Sequence, residues 1–563
     1  MSGTMDTKVA TSPDDSNVPD QRAEALKAVL GGRDTSFYKG HYRHLTAIMF
    51  LILLSSMTNG FDGSMMNGLQ TLDTWKSYFD NPRGATLALF NAIQTIGAAS
   101  ALPFAGYCSD ILGRRTGIFV GCVHILALIL STVMCIGVAV QTAAQNMPMF
   151  IAARFFVGFG GTFGMLAAPG LATELAFPTH RAVITALYWT TSYLGGIAAA
   201  WTTYGTFRIP STWSWRIPSV MQALPSVIQL VFIFMIPESP RWLVSKGRDE
   251  DALRVIGKYH CNGDTTDPLL HFEFSEIKEA IQFEKDCGQA SWKSFFQTKG
   301  NRHRLAVVIA MGVFCQWSGS AVISYYLTLV LDGIGITSTK EQTLINGIIQ
   351  IFQYVCGIAA SLVVDRVGRR KMFLSSTSGM CVSFIAWTVC SAVYSKSATN
   401  LDATGTPIGA NTSAGNAVLG FIFVYLFFYG IAFTPLVIAY PLEILPYGLR
   451  MKGMTIFQIA LTGSALFNAY VNPIALDAIG WKFYICFCVW LAVEFTFCYF
   501  FILETKGKNG PLPLEEIVKL FDGADAAEDF RNQVQTRIAV DTLVRQDDEL
   551  ASEKANAEHV EAV

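Results

Sequence analysis

The sequence predicts an all-α integral membrane protein of about twelve spans, arranged as two pseudo-symmetric six-helix halves. Two observations predict it. The turn Asp110-Ile-Leu-Gly-Arg-Arg115 recurs as Asp365-Arg-Val-Gly-Arg-Arg370 about half a chain later, each time between two long apolar runs. A turn repeated in the same hydropathy context marks an internally duplicated membrane protein. Of 563 residues, 52% are hydrophobic and only 15% charged, with a mean hydropathy of +0.38. A soluble chain carries roughly a quarter charged residues, so most of this one belongs in lipid.

Runs of about 20 apolar residues cross a bilayer, and they follow one another in order. The first half holds His44–Leu69, Ala85–Cys108, Gly117–Val140, Met147–Leu171, Val183–Phe207 and Ile217–Ile236. The second holds Leu305–Leu331, Leu344–Val364, Met372–Ala392, Ala417–Pro441, Met454–Pro473 and Trp481–Leu503. The organisation is therefore a tail (1–43), a six-helix half (44–236), a linker (237–304), a second half (305–503) and a closing tail (504–563). The linker is rich in Lys, Arg and Glu, and its pattern around Asp249–Tyr259 and Phe274–Phe283 predicts short amphipathic surface helices. The closing tail is acidic and polar, with Leu514–Phe521 a short helix. Residues Met1 to Arg43 lack the apolar core and cleavage site of a signal peptide.

Arg114, Arg115, Arg181, the linker, Arg366, Arg369, Arg370, Lys371, Arg450 and Lys452 all fall on one side of this topology. The positive-inside rule makes that side cytoplasmic and puts both termini there, with the plasma membrane the expected location. The sequon Asn411-Thr412-Ser413 then lies in an outside loop, open to glycosylation.

The net charge of −2 says nothing about nucleic acid, because the charges reside in loops and tails, and no nucleic-acid partner is expected. The twelve Cys are scattered through apolar segments without metal-ligand or disulfide spacing and read as small buried hydrophobes. No nucleophile–base set, metal cluster or phosphate-cradling loop is present, so neither an enzyme nor a metal or other cofactor is expected. Gly158, Gly160 and Gly161 fit close helix packing.

Asp62, in Asn59-Gly-Phe-Asp-Gly-Ser64, sits toward the outer end of the first span. A charge in the bilayer costs about 2.5–3.5 kcal/mol or more and marks a functional site by default. Arg154, in the fourth span, is its natural partner. Glu494, near mid-depth of the last span, reads as a glutamate hydrogen-bonded between helices or kept protonated. His124 reads as a packing residue. Asn468 and Asn472 lie one turn apart on one face of the eleventh span.

Six further motifs follow in order. They are Arg154-Phe-Phe-Val-Gly-Phe-Gly160, Glu174-Leu-Ala-Phe-Pro-Thr-His-Arg181 and Pro237-Glu-Ser-Pro-Arg-Trp-Leu243. Then come Gln316-Trp-Ser-Gly319 with Tyr325-Tyr326, Glu443-Ile-Leu-Pro-Tyr-Gly-Leu-Arg450, and Glu504-Thr-Lys-Gly507. With the duplicated turns, this set resembles the sugar porter family of the major facilitator superfamily, roughly from Tyr42 to Val518. The Gln-Trp-Ser-Gly form and Phe433-Thr-Pro-Leu436 look most like fungal lactose and cellodextrin permeases.

The resemblance implies a major facilitator fold and a proton-coupled importer of a disaccharide or other glycoside, working by alternating access. It implies that Asp62 and Arg154 form a pair broken by protonation, and that Gln316, Trp317, Tyr325, Tyr326, Trp189, Asn468 and Asn472 face the substrate. It further implies a cytoplasmic latch between the halves, made of Asp110, Arg114, Arg115, Glu174, Arg181, Glu238, Arg241, Asp365, Arg369, Arg370, Glu443, Arg450 and Glu504.

Three departures bear on the substrate. Cys315 replaces an amide of the hexose carriers, Ser320-Ala321 stands where an Asn is usual, and Trp189 where a Gln or Asn is common. The partners implied are a sugar, a proton and the lipid bilayer; a monomer suffices, and the sequence leaves the oligomeric state open. The alternatives are a facilitative carrier of a monosaccharide, polyol, quinate-like acid or small natural product, and a sugar sensor that does not transport.

Overall fold

The computed structural model describes residues 28–33, 36, 37, 40, 42–115, 133–286, 291–398, 411–507, 512 and 514–523. Every expected span meets a helix. The first half holds Tyr42–Thr71, Gly84–Leu112, Val133–Thr142, Met147–Leu175 and Arg181–Thr206, then a broken sixth span of Trp213–Met221 and Leu224–Phe232. The second holds Lys299–Trp317 with Ser320–Asp332, Thr339–Val367, Arg369–Ser397, Thr412–Ala432 with Leu436–Ile444, Tyr447–Ile479 and Phe483–Phe501. Most of the third span, His124 included, falls outside the described residues. By length and composition nine described stretches can cross a membrane, and one of them, Gly448–Phe501, contains both of the last two helices.

Three spans read as continuous are broken, and each break has a local cause. In the sixth, Pro225 enters at the start of the second piece, where its missing N–H costs nothing. In the seventh, Gly319 adopts a φ of +103°, a left-handed conformation that favours glycine. In the tenth, Pro435 follows the end of the first piece at Ala432.

Within the first half the helices approach to backbone contact through glycines. A Cβ on Gly60 would fall 1.7 Å from the Ser192 carbonyl oxygen, one on Gly195 1.9 Å from that of Met57, and one on Gly158 2.1 Å from that of Gln94. Gly160 is similarly pressed against Met134, whereas Gly161 has open space and lines a cavity. These contacts bind span 1 to span 5 and span 2 to span 4.

The linker forms the helices Pro240–Ser245, Asp249–His260 and Pro268–Asp286 against the first half. His260 is buried with both ring nitrogens in use. Nδ1 lies 2.8 Å from a Glu273 carboxylate oxygen and Nε2 3.2 Å from the Leu175 carbonyl oxygen, at the end of span 4. Arg33 meets Asp267 through two donors at 2.5 and 3.1 Å, and holds that carboxyl below the usual carboxylate range. The expected closing helix is present as Leu514–Asp522 and docks on span 7, with Asp522 2.5 Å from Arg304.

Candidate functional site

The buried charge of span 1 is enclosed on several sides. Asp62 is 4% exposed and Arg154 1%. An Arg154 Nη1 to Asp62 Oδ1 distance of 3.3 Å joins them. Span 2 adds Gln94, which donates to Asp62 Oδ2 and accepts from Arg154, and span 6 adds Gln222, which donates to Oδ1 at 2.8 Å. Arg154 also donates through Nε to the Phe90 carbonyl at 2.8 Å, and Gln141 reaches Gln222 at 3.4 Å. An ion pair withdrawn from water survives only with such added hydrogen bonds.

From Asp62 and Gln94 a cavity of about 80 Å³ runs inside the first half, past Ser55, Thr58, Asn59, Thr162, Ser226 and Gln229. Its hydroxyls and amides can hold several water molecules. The sequence singled out Asp62 and Arg154 but missed Gln94, Gln141 and Gln222. The available signal was the cost of a lone amide inside an apolar span, which the charged residues overshadowed.

The end of the molecule opposite the arginine-bearing turns is sealed between the halves. Tyr326 departs from helical geometry at φ −135°, ψ 26°. Span 1 uses the carbonyls around that kink: Asn67 Nδ2 donates to Ile323 at 2.9 Å and to Ser324 at 2.7 Å, and Gln70 donates to Tyr325 at 3.0 Å. Leu327 N–H donates back to Asn67 Oδ1 at 3.2 Å. Tyr326 is fully buried with Phe61, Phe79, Phe90 and Trp215, its hydroxyl donating to the Ala469 carbonyl. Tyr325, half-buried, lies beside it.

The other residues expected at the substrate divide into two groups. Gln316 is half-buried, and its side-chain amide has no hydrogen-bond partner among the described residues. Asn468 donates to the Gln316 carbonyl, and Asn472 is buried beside it in the same helix. Trp317 is occupied within the second half: its indole N–H donates to the Ser464 carbonyl at 3.3 Å, and its ring packs on Phe467 and Trp490. Trp189 packs edge-on to Tyr188 against the apolar cluster of spans 1, 4 and 5. Two further contacts cross between the halves: Tyr193 hydroxyl to Thr434 hydroxyl at 3.1 Å, and Gln350 against Gly196.

At the arginine end the two duplicated turns are built alike. Gly113 and Gly368 hold φ values of +106° and +99°, and a Cβ on either would strike a carboxylate, Glu238 or Glu504 respectively. Glu238 accepts from Arg115 N–H at 2.9 Å; Glu504 accepts from Arg369 and Arg370 N–H at 2.8 and 3.2 Å. Each acid thus caps the free amides at the start of a helix, where negative charge is favoured.

One arginine of each turn then pairs with an acid of its own half: Arg114 with Glu174 at 3.5 Å and Arg369 with Glu443 at 3.0 Å. Ser239 and Thr505 hydroxyls donate to those same acids, at 2.5 and 2.7 Å. Arg115 and Arg370 lie over Phe234 and Tyr499. Arg181 donates to the Ala176 carbonyl at 3.4 Å, while Arg241 and Arg450 are half-buried with further partners. The side chains of Asp110 and Asp365 lie outside the described residues. The expected latch bridges the halves; the pairs named here, Arg114 with Glu174 and Arg369 with Glu443, each lie within one half, in a structure closed at the opposite end. Asn411 is exposed at the start of the tenth span.

A profile of the family described as sugar (and other) transporter matches residues 48–521. The high-affinity glucose transporter of Kluyveromyces lactis is 28% identical over 494 residues, covering 86% of this chain and 87% of that one. The quinate permease of Neurospora africana is 30% identical over 485 residues, covering 82% and 86%. Among solved structures, the inward-open xylose transporter XylE of E. coli superposes with a TM-score of 0.65 at 20% identity, covering 84% of this chain and 99% of that one.

Proposed function

We propose that this chain, which belongs to the sugar (and other) transporter family, imports a sugar together with a proton by alternating access. Its membership makes it a multi-pass membrane transporter and not an enzyme. The coupling reading rests on one observation, the Asp62–Arg154 pair held by Gln94 and Gln222 beside a polar cavity. Protonating Asp62 removes the charge that Arg154 and both amides are arranged to meet. The pair then loosens and span 1 is freed from spans 4 and 6. A solved relative by fold is described as a proton:xylose symporter, which is consistent with this reading.

The substrate is read as a disaccharide or other glycoside. Tyr193, Thr434 and Gln350 meet between the halves, and Gln316 and Asn468 are read as facing the same space; all are amides and hydroxyls, which suit a neutral polyol. A quinate-like acid is the second reading, favoured by the 30% identity to a quinate permease. The arginine end is assigned to the cytoplasm, both termini with it, and the membrane is taken to be the plasma membrane. The structure is accordingly read as inward-facing, and the acids and arginines of the turns as the latch that regroups across the halves when the inside closes.

The test is uptake of labelled lactose, cellobiose, glucose and quinate into transporter-deficient cells, with and without a protonophore. Concentrative uptake of a sugar, abolished by the protonophore and by Asp62→Asn, is expected. Uptake that only equilibrates, or accumulation that survives Asp62→Asn, overturns the coupling reading.

A further inference from the structure

Glu494 sits in the twelfth span with no exposed surface. Among the described residues no Lys, Arg or His pairs with it. Its two carboxyl oxygens lie 3.2 and 3.0 Å from Ser318 Oγ, across the break in span 7. Ser318 Oγ is also in a short hydrogen bond with the Phe314 carbonyl oxygen. A hydroxyl has one proton and a carbonyl can only accept, so the Ser318 proton goes to Phe314. The hydrogen between Ser318 and Glu494 must then come from the carboxyl.

The backbone of the break is gripped from spans 10 and 11. Tyr429 donates to the Cys315 carbonyl at 3.0 Å, Tyr425 to the Ser318 carbonyl at 3.1 Å, and Asn468 to the Gln316 carbonyl. Gly319 has no room for a side chain, since a Cβ would lie 2.6 Å from the Phe384 ring. Glu494 supplies the grip on the Ser318 side chain, two residues from Gln316.

We propose that Glu494 is carried as the neutral acid and is a positioning residue: by anchoring Ser318 at the break, it sets how Gln316 meets the substrate. This rests on the reading that Gln316 lies in the substrate site. It separates the two buried acids, Asp62 changing its charge during transport and Glu494 keeping its proton throughout.

Infrared spectroscopy of the purified full chain should show a protonated-carboxyl band at neutral pH that is missing in Glu494→Gln. Glu494→Gln keeps a donor, so its KM should stay near wild type and its uptake should keep the wild-type pH profile and accumulation. Glu494→Leu and Ser318→Ala should each raise KM about tenfold, the loss of one buried hydrogen bond. The double variant should be no worse than either single one. Should Glu494→Leu fail to reach the membrane, Ser318→Ala and the Gln variant carry the test. Absence of the band while Gln316→Ala remains impaired overturns this inference alone. Loss of accumulation in Glu494→Gln makes the residue a proton carrier and also overturns it. Unchanged KM in Gln316→Ala removes the substrate-site reading, and the positioning role with it.

Discussion

Asn67→Ala tests the seal between the halves, because its effect differs between the two states of the transport cycle. In the structure the Asn67 side chain makes three hydrogen bonds to span 7: two donated to the carbonyls of Ile323 and Ser324, one accepted from Leu327 N–H. All three groups belong to the kinked backbone near Tyr326, where a regular helix would have satisfied its own carbonyls. When this end opens, the same groups meet water, so alanine costs little there. At a net worth of about 1 kcal/mol per bond, the closed end loses about 3 kcal/mol relative to the open one. That shifts the equilibrium toward the open end by roughly 100-fold. A reporter at Ser64→Cys, buried in the closed structure beside Asn346, reads the shift as faster modification by an impermeant thiol reagent added outside. Transport should slow because closing this end becomes the difficult step. Unchanged labelling together with unchanged transport would refute the assignment of the seal to these bonds.

Gln316→Ala should raise KM about tenfold with normal surface expression, measured as initial uptake rates, since it removes the amide proposed to meet the substrate. Glu504→Gln should weaken the cap on Arg369 and Arg370 N–H by about 1 kcal/mol, and Glu238→Gln should do the same at the other turn. Both should lower the thermal midpoint of the purified protein; equal midpoints would reduce these acids to surface charges. Asp267→Asn should destabilise the linker by about 1 kcal/mol or less at pH 7. Arg33 depresses the Asp267 pKa, so the folded state gains stability above the unfolded carboxylate value and loses it as pH falls through the depressed one. The thermal midpoints of wild type and Asp267→Asn should therefore converge toward acid pH; a constant gap would place the stabilisation elsewhere.

The spans were legible because hydropathy and length are read one residue at a time, and among the described residues each expected span meets a helix. Asp62 and Arg154 were legible for a related reason: charges in lipid are costly, so two opposite ones in neighbouring spans must meet. What the sequence hid depends on rotation and depth. Gln94 and Gln222 join the charge pair only because spans 2 and 6 turn those faces inward, and nothing in either span alone dictates it. Trp189 and Trp317 were expected at the substrate; each is half-buried and packs on apolar neighbours, and the sequence does not say which role an indole there plays. The breaks in spans 6, 7 and 10 were passed over because one glycine or proline inside an apolar run does not by itself stop a helix. Gly319 ends one by turning to a φ of +103°, and Phe384 leaves no room there for a side chain.

Span 1 carries the proposed proton site and the seal on one rod. Asp62 and Asn67 are five residues apart, about 7.5 Å along a helix. The first is held by spans 2, 4 and 6, the second by the kink of span 7. A helix transmits rotation over that distance with little loss, so whatever loosens Asp62 from Arg154 also changes how well Asn67 can meet the carbonyls of Ile323 and Ser324. The two sets of bonds differ in kind. One depends on a charge that a proton can cancel, and the other is neutral and indifferent to pH. A proton arriving at Asp62 would therefore alter the seal without entering the path between the halves. The polar cavity beside Asp62 lies wholly inside the first half, lined by Ser55, Asn59, Thr162 and Gln229. On the proposed reading, proton and sugar have separate routes, and coupling between them is mechanical, through span 1.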